Sequence, residues 1–404
     1  MGSRWKNTMA GRSVNNFDAS TIPALKDCVH CGLCLPECPT YFASGREAES
    51  PRGRIAALRA VVESRSSISD AIHDGMESCL VCRACESACP SGISMEHLMA
   101  HYRHESRPHR GDLSAGIESW LLKRVIPHPA RIGALLGGLR LLGPLLRVLP
   151  ATHDLPSASR FRPEPEIPHL IEAKGEVRGT VSILRGCVAD RLFRRETHLS
   201  GRLLSEAGWR VVVPPAGCCG ALHHHAGLIE EARQHSSHRW KELYEQGIDH
   251  VVVDGAGCGA HLLSEAPPGA PSIIDTATLL AQSGNFDIKT KLPGRTVLSV
   301  PCHQQHSALS LDGGTDLLVA CIEERVELPE PDHCCGAAGM YLLRRRKMSR
   351  MIGDQARTRF ERSGADTVIS GNPGCLLRWE GLLGPKRAIH PVRLLAHACD
   401  MEPL

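Results

Sequence analysis

The pattern of apolar and polar residues divides this chain into a helical first part and an alternating second part. In the arginine-rich stretch 47–76, apolar residues recur at helical spacing, at Ile55, Leu58, Val61 and Val62. Beyond Pro163, short β-branched runs alternate with helical stretches, which is typical of βαβ units and a parallel sheet. The pattern therefore predicts an α+β protein in which a helical domain precedes an α/β domain.

The second part of the chain contains an internal duplication. Each copy has three short runs that are predicted to be strands, and a cysteine or a Cys-Cys-Gly triplet follows each run. Corresponding cysteines in the two copies are 115 to 117 residues apart. The predicted strands are 181–184, 211–213 and 251–254 in the first copy, and 297–300, 326–328 and 367–370 in the second. The duplication predicts two α/β repeats with parallel sheets.

Composition limits the class of protein. With 404 residues, of which 42% are hydrophobic and 23% charged, the chain is long enough for two or three domains and is neither disordered nor a multi-span membrane protein. A net charge of +3 and only six Phe, five Trp and four Tyr argue against nucleic acid as a partner. Residues 1–20 lack the apolar core of a secretory signal, so a cytoplasmic protein is expected.

The 18 cysteines are the strongest chemical signal in the sequence. Two groups have the spacing C-x2-C-x2-C-x3-C-P, which is typical of bacterial ferredoxins with two iron-sulfur clusters. Structural zinc sites rarely place four cysteines within eleven residues, so the spacing favours clusters over zinc. The two groups are Cys28, Cys31, Cys34 and Cys38, and Cys79, Cys82, Cys85 and Cys89.

Ligation is expected to cross between these two groups. Three cysteines in one tight loop can bind three irons of a cluster, whereas the fourth lies beyond the turn and points to the neighbouring cluster. The long insertion between the groups indicates a helical two-cluster domain of an electron-transfer subunit. The expected ligands are Cys28, Cys31, Cys34 and Cys89 for one [4Fe-4S] cluster, and Cys79, Cys82, Cys85 and Cys38 for the other.

Each repeat contributes four further cysteines, which are expected to meet at the carboxyl-terminal edge of its sheet. Helix N-termini at this edge lower thiol pKa values, so each set is predicted to bind an additional iron-sulfur cluster or a zinc ion. A redox dithiol is the alternative, which the strain of a disulfide between adjacent cysteines disfavours. The predicted ligands are Cys187, Cys218, Cys219 and Cys258 in the first repeat, and Cys302, Cys334, Cys335 and Cys375 in the second.

Several motifs resemble those of glycolate oxidase iron-sulfur subunits. These subunits belong to a wider group of proteins with cysteine-rich CCG domains, which includes lactate-utilisation proteins, the anaerobic glycerol-3-phosphate dehydrogenase C subunit and heterodisulfide reductase. Relatives with the full motif end it in CxxC, whereas this chain has Gly255 and Asn372 at the first of those positions. That difference argues against the five-thiolate clusters of heterodisulfide reductase. The matching stretches are 28–41 (CVHCGLCLPECPTY), 50–55 (SPRGRI), 79–93 (CLVCRACESACPSGI), 218–223 (CCGALH) and 334–339 (CCGAAG).

The resemblance implies a subunit of an oxidoreductase complex. FAD-binding glycolate oxidase subunits of the GlcD and GlcE type would oxidise glycolate to glyoxylate, and this chain would pass the electrons toward a quinone-type acceptor. Such a complex would lie at the cytoplasmic face of the inner membrane. FAD is expected on those partners because this chain has no convincing dinucleotide loop: the glycine-rich stretch 255–259 loses its pattern in its counterpart, 371–375.

Three other functions remain open at this point. The chain is also compatible with the iron-sulfur subunit of a lactate or glycerol-3-phosphate dehydrogenase complex. A thiol-disulfide redox subunit similar to heterodisulfide reductase is a second alternative, and a zinc-stabilised scaffold is a third. The sequence assigns no catalytic residue in any of these cases.

Five histidines lie beside the repeat cysteines, and we interpret them as structural or solvated neighbours because each repeat already has four thiols. They are His223, His224, His225, His303 and His306. Cys321 and Cys399 have no counterpart in the other copy and are expected to behave as buried apolar residues.

The segment 119–153 is basic and leucine-rich and contains no acidic residue. Its apolar part is too short, and too rich in Gly and Pro, to span a bilayer. An interrupted helix in a membrane interface and a helix packed against the flavin subunits or between domains are equally consistent with it. The proline-rich stretch 150–168 is the expected linker.

The expected domains are 1–110, the two-cluster domain; 111–168, the basic segment and linker; 169–285, the first repeat; and 286–404, the second.

Overall fold

The computed structural model describes residues 24–107, 113–146, 164, 166–244, 247–284, 286–309, 312–329, 334–384 and 387–404. Residues 1–20 and most of the predicted linker lie outside this part of the chain. The α+β class is confirmed, with helices first and two sheets of mostly parallel strands after them. We use "helical domain" for 24–107, "first repeat" for 166–284 and "second repeat" for 286–404.

The helical domain is built around α3. Its N-cap Ser50 accepts a hydrogen bond from Gly53 N, and Pro51 occupies the first turn, as is common at helix starts. Ile55 and Leu58 are buried in one apolar cluster, as the helical spacing predicted. The helices are α1 (Ala24–Asp27), α2 (Pro39–Ser44), α3 (Pro51–Val62), α4 (Asp70–Glu77), α5 (Ala84–Ser87) and α6 (Met95–Ser106), with a 3₁₀ turn at Glu47–Glu49.

The basic segment starts with α7 (Leu113–Trp120), continues as a π-helical stretch (Leu121–Val125) and ends with α8 (Pro129–Leu146). The interruption falls before α8, whereas the sequence placed it at the glycines and proline inside that helix. Leu122, Val125 and Ile132 are buried against the first repeat, so this part of the segment packs on the protein itself. No helix among the described residues is long and apolar enough to cross a membrane.

The first repeat has a five-stranded sheet in the order β1-β3-β2-β4-β5, in which only β1 runs antiparallel. Its strands are β1 (Leu170–Ile171), β2 (Gly179–Ile183), β3 (Trp209–Val212), β4 (His250–Val252) and β5 (Ser272–Ile274). Its helices are α9 (Ala189–Leu192), α10 (Arg194–Glu206), α11 (Ala221–His225), α12 (Ile229–Leu243), α13 (Ala256–Ser264) and α14 (Thr276–Ser283).

The second repeat has a wholly parallel four-stranded sheet in the equivalent order, β7-β6-β8-β9. Its strands are β6 (Leu292–Leu298), β7 (Ile322–Arg325), β8 (Thr367–Ile369) and β9 (Ala388–Ile389). Its helices are α15 (Cys302–Gln305), α16 (Gly314–Ala320), α17 (Tyr341–Arg344), α18 (Arg346–Ser363), α19 (Pro373–Leu383) and α20 (Pro391–Ala398). One apolar cluster contains core residues of both repeats, among them Val181, Leu279, Ile369 and Leu395.

One predicted strand is misplaced. The sequence put a strand at 326–328, but β7 ends at Arg325 and Val326 adds a single hydrogen bond, from its N to Thr296 O. The paired register of β6 and β7 ends at Thr296 and Arg325. Val326 and Leu328 pack instead against the apolar cluster around Phe360. Their hydrophobicity reflects that cluster and not a strand.

Candidate metal centres

The two cysteine loops of the helical domain share an unusual backbone. His30 and Gly32 in the first loop, and Val81 and Arg83 in the second, all have positive φ, between +55° and +88°. A β-branched residue such as Val81 is strained in this region, and such strain is typical of functional loops. The repeated left-handed turns wind each loop tightly and bring its three cysteines close to one another.

The eight cysteines of these loops line two cavities. Cys28, Cys31, Cys34 and Cys89 line the first cavity, together with Cys85. Cys38, Cys79, Cys82 and Cys85 line the second. The last cysteine of each motif therefore lies with the first three of the other motif, which is the arrangement that crossed ligation requires.

Arg54 is buried beside the second cavity. It donates to Gly75 O at 2.8 Å, to Ser78 Oγ at 2.7 Å and to Thr40 Oγ1 at 2.9 Å, and its Nη1 lies 3.9 Å from Cys38 Sγ. Although burial opposes it, the nearby Cys79 and Cys38 keep the pKa of Arg54 above its ordinary value. A buried cation at this position suits an anionic metal-thiolate group.

Burial raises the pKa of Cys82 and of Cys85 well above the ordinary value, and neighbouring thiols raise it further. Several thiolates cannot share a buried cavity unless positive charge compensates them. Metal ions supply that charge and deprotonate their thiol ligands. The chemistry of the donors in this cavity therefore fits an iron-sulfur cluster.

In the first repeat, the four cysteines form two close pairs. The sulfurs of Cys219 and Cys258 are 3.1 Å apart, and the thiol of Cys187 hydrogen-bonds with Cys218. Gly220, the third residue of the triplet, has a φ of +93°, and a Cβ there would lie 2.5 Å from Ala232 O. Only glycine allows this turn, which aims the two adjacent cysteines into the sheet edge.

In the second repeat, all four cysteines form one connected set. Cys334 contacts Cys302 and Cys335, and Cys335 also contacts Cys375. These hydrogen bonds hold the pKa of Cys302 and of Cys335 well below the ordinary value, while the pKa of Cys334 is raised. Thiols with a lowered pKa release their protons more readily, which favours binding of a metal or cluster.

The second-repeat cysteines lie next to the second cavity of the helical domain. After burial, repulsion from Cys302 is the largest cause that raises the pKa of Cys82. Cys82 and Cys334 are partly buried in one apolar cluster with Leu80, Tyr341 and Ile352. Ser87 Oγ also lies 2.9 Å from His306 Nδ1. No equivalent contact joins the first-repeat cysteines to this cavity within the described residues.

Buried ion pairs fix this arrangement. Glu77 in α4, whose side chain is 1% exposed, pairs with Arg344 of the second repeat and lies 3.6 Å from Arg103 in α6. Arg103 in turn donates to Cys79 O and to His225 O, both at 2.7 Å. Tyr341 donates its hydroxyl to Ser78 O at 2.8 Å. The helical domain is thus tied to both repeats by charged groups that leave it little freedom to shift.

The histidines beside the repeat cysteines converge where the three units meet. The rings of His225 and His303 stack with centroids 5.2 Å apart, and those of His224 and His261 are 5.2 Å apart. Burial lowers the pKa of His224 to about 4 and that of His261 to about 3. The imidazoles of His224 and His261 are therefore neutral at physiological pH. Sequence reasoning missed His261, which lies on α13 three residues after Cys258 and meets His224 only through the fold.

Asn372 and Gly255, which stand where fuller motifs have a cysteine, both lie at the contact between the two repeats. Asn372 Oδ1 accepts a hydrogen bond from Gly257 N at 3.2 Å, and its Nδ2 donates to Cys375 Sγ at 3.5 Å. The amide therefore connects the first repeat to a cysteine of the second. Gly255 has no side chain with which to do the same.

A further cavity lies between the repeats, at the carboxyl-terminal ends of strands from both sheets. It is mostly apolar, with a few polar groups, among them Asp254, Asp275, Gln304 and His390. Gln304 donates to Asp275 Oδ2 at 2.8 Å. Burial raises the pKa of Asp275 to about 6. Such a crevice at the ends of parallel strands is a common ligand position.

The two remaining cysteines lie in the core shared by the repeats. Cys321 is fully buried, and burial raises its pKa to about 12. Cys399 is partly buried and packs against the same apolar cluster. Neither lies with the four sets described above.

Two family models match the chain where these sites lie. A 4Fe-4S dicluster domain matches residues 24–93. A cysteine-rich domain matches twice, at residues 181–263 and 297–379. The chain is therefore an iron-sulfur protein that joins a 4Fe-4S dicluster domain to two cysteine-rich domains.

Similarity to individual proteins places the chain more narrowly within this class of iron-sulfur proteins. The chain is 29% identical to the "Probable glycolate oxidase iron-sulfur subunit" of Bacillus subtilis, over 93% of this chain and 94% of that protein. It is 27% identical to the "Glycolate oxidase iron-sulfur subunit" of Escherichia coli, over 87% and 88%. "Lactate utilization protein A" of Geobacillus thermodenitrificans is 26% identical, but over only 54% of this chain. The predicted resemblance to glycolate oxidase iron-sulfur subunits is confirmed.

Proposed function

We propose that this chain is the electron-transfer subunit of a flavin-dependent glycolate oxidase complex. FAD-binding partner subunits would oxidise glycolate to glyoxylate, and this chain would carry the electrons toward a quinone-type acceptor. The two glycolate oxidase relatives support this assignment because they match the chain almost from end to end. The lactate-utilisation relative covers about half of the chain and makes lactate the second candidate substrate.

The ligands proposed for two [4Fe-4S] clusters follow the cavities: Cys28, Cys31, Cys34 and Cys89 for one, and Cys38, Cys79, Cys82 and Cys85 for the other. Such clusters, when bound, accept and release one electron at a time. We also propose the eight repeat cysteines as metal ligands. The domain boundaries at residues 110, 168 and 285 belong to the same proposal.

The contact between the helical domain and the second repeat carries this proposal. Cys82 belongs to a proposed cluster, and it lies beside Cys302 and Cys334 of the next cysteine set. Electrons that reach the second cavity would therefore have a short path into the second repeat. Glu77, Arg103 and Arg344 hold these surfaces in place from both sides.

The cavity between the repeats is the proposed acceptor site. It adjoins the second-repeat cysteines through Pro301 and Gly371, and its apolar walls suit a quinone ring. Asp275, Gln304 and His390 supply groups that could bind the ring oxygens or exchange protons with them. Electrons that leave the second-repeat cysteines would then reach a quinone that lies beside groups able to donate protons to it.

The exposed side of the basic segment is proposed to meet the flavin subunits or the cytoplasmic face of the inner membrane. Ile117, Trp120 and Leu135 are 50%, 57% and 43% exposed, while Leu122 and Val125 are turned into the protein. Lys123, Arg124 and Arg131 of the same segment are also exposed, and Lys123 pairs with Glu231 of α12. Apolar and cationic groups together favour either surface.

The central test uses the complex reconstituted with its flavin subunits under anaerobic conditions. Glycolate should reduce both the flavin and the clusters, followed by electron paramagnetic resonance, and lactate should do so more slowly. Cys335→Ser should leave both dicluster spectra and flavin reduction intact but abolish quinone reduction. Cys399→Ser, a cysteine outside the four sets, is the control.

Two outcomes would contradict the proposal. If glycolate reduces the flavin but never the clusters, this chain is not the electron acceptor of those subunits. Wild-type quinone reduction by Cys335→Ser would show that the second repeat is structural. If lactate reduces the flavin and the clusters faster than glycolate does, lactate is the substrate instead.

A further inference from the structure

Two histidines lie beside Cys218 in the first repeat. Cys218 Sγ is 3.8 Å from His223 Nδ1, and the rings of His223 and His235 are 4.6 Å apart between centroids. One donor atom from each of these three residues lies within 4.8 Å of the other two. Around a tetrahedral zinc ion, bond lengths of about 2.3 Å to sulfur and 2.0 Å to nitrogen place S and N about 3.6 Å apart. The observed spacing needs only small adjustments to fit such an ion.

His223 is already oriented as a ligand. Its Nε2 lies 2.8 Å from Leu122 O, and because a carbonyl can only accept, Nε2 carries the proton. Nδ1 therefore presents its lone pair toward Cys218. Histidines that bind metals commonly donate their other N–H to a backbone carbonyl in this way. The side chain is fully buried, so solvent does not compete for Nδ1.

Cys187 is assigned as the fourth donor on its contact with Cys218, since its sulfur does not belong to the group of three donor atoms that lie within 4.8 Å of one another. Its thiol hydrogen-bonds with Cys218. Both sulfurs are buried beneath Val125 and Ile132 of the basic segment. A divalent cation would remove the need for these two sulfurs to share protons.

The second repeat lacks the two imidazoles. With the offset of 116 to 117 residues, Gly339 replaces His223, and Met351 or Ile352 replaces His235. Its four cysteines form one set of thiols instead. The duplication has therefore produced two sites with different donor chemistry.

We propose that the first repeat binds one tetrahedral zinc ion through Cys187, Cys218, His223 and His235. This inference rests on the proposed function, which assigns metal to the first repeat. It differs from that proposal in the ligands, because two histidines replace Cys219 and Cys258. The ion would lie under the basic segment, because Leu122 holds His223 in place. It would anchor that segment to the repeat and carry no electrons.

The test measures zinc and iron in the full chain, purified anaerobically with and without a chelator. We expect about one zinc per chain. Cobalt in its place should give the visible absorption of a tetrahedral site with two sulfurs and two nitrogens. His235→Ala should weaken zinc binding on the order of 10- to 100-fold or more and leave the iron content unchanged. His238→Ala, a neighbouring histidine of α12 whose side chain is 70% exposed, is the matched control.

Because His223 is buried and its loss could prevent folding, His235 is the decisive position. Unchanged zinc affinity in His235→Ala, or a cobalt spectrum of four sulfurs, would overturn the mixed ligand set while leaving metal in the repeat. A chain that holds iron but no zinc would overturn the inference, and the electron-transfer proposal would stand. Loss of iron from the dicluster domain would count against the proposed function alone.

Discussion

In the first repeat, Cys187 and Cys218 lie beneath the basic segment and beside two histidines. In the second repeat, the cysteines lie against the helical domain, which contains the dicluster motifs and is called the dicluster domain below. The two sheets have the same strand order, and both triplets turn at a glycine with positive φ. The two sets differ in their neighbours: Val125 and Ile132 cover Cys187 and Cys218 of the first set, while Cys82 and Tyr341 adjoin Cys334 of the second. Duplication supplied two equivalent sheet edges, and contacts made by other parts of the chain gave them different chemistry.

The largest expected effect concerns the ion pair that joins the second repeat to the dicluster domain. Arg344→Met removes a cationic partner from the buried Glu77 and Glu118, while Arg103 remains 3.6 Å from Glu77, and breaking a buried ion pair costs about 3–5 kcal/mol. Burial already lowers the pKa of Arg344 to about 10, which shows how strongly the site is desolvated. The variant should lower the urea midpoint of unfolding and slow electron transfer into the second repeat.

Leu228 is the control, because it lies in the corresponding turn of the first repeat, immediately before α12, and is buried among apolar residues. Leu228→Met conserves volume and should cost less than about 1.5 kcal/mol. If both variants lose the same stability and transfer electrons equally fast, the two repeats contact the dicluster domain in equivalent ways and the comparison fails.

The sequence predicted most of what depends on local spacing. The two C-x2-C-x2-C loops, the helix around Ile55 and the duplicated α/β repeats follow from patterns of a few residues. Contacts between distant segments were not predictable, because no spacing records them: Arg344 meets Glu77 267 residues away. His235 lies in the middle of α12, and only the packing of that helix brings it to Cys218. The misplaced strand at 326–328 has the same cause, since its apolar residues serve a core that the sequence does not show.

An intermediate effect concerns Asp275, which caps α14 in the first repeat, while His390 caps α20 at the equivalent position of the second. Both line the cavity between the repeats, with Asp254 and Gln304 nearby. Burial raises the pKa of Asp275 from 3.8 to about 6. The folded protein thus binds this proton more tightly than the unfolded chain, and stability falls as the pH rises from about 4 to about 6, by about 3 kcal/mol in full.

Asp275→Asn should remove this pH dependence, because the amide stays neutral and still caps the helix by accepting from Thr278 N. Thermal midpoints at several pH values between 4 and 7 measure the effect, with the exposed Asp316→Asn as control. A variant that retains the wild-type slope would mean that the cavity is well hydrated, and the proposed proton exchange with a quinone would lose its basis.

The smallest expected effect concerns Asn372, the amide that distinguishes the second-repeat set from the first. Its Nδ2 donates to Cys375 Sγ at 3.5 Å, and a hydrogen bond to a ligating sulfur stabilises the more negative, reduced state of a cluster. Asn372→Ala should therefore lower the reduction potential of a second-repeat centre, on the order of 50 mV, since 59 mV corresponds to a tenfold change for one electron. Gly255→Ala is the matched control, because a Cβ there would make only an ordinary contact, 3.5 Å from Pro373 Cδ. Redox titration followed by electron paramagnetic resonance should show a shift in the first variant and none in the second. An equal shift in both would mean that the contact between the repeats, and not the hydrogen bond to Cys375, sets the potential.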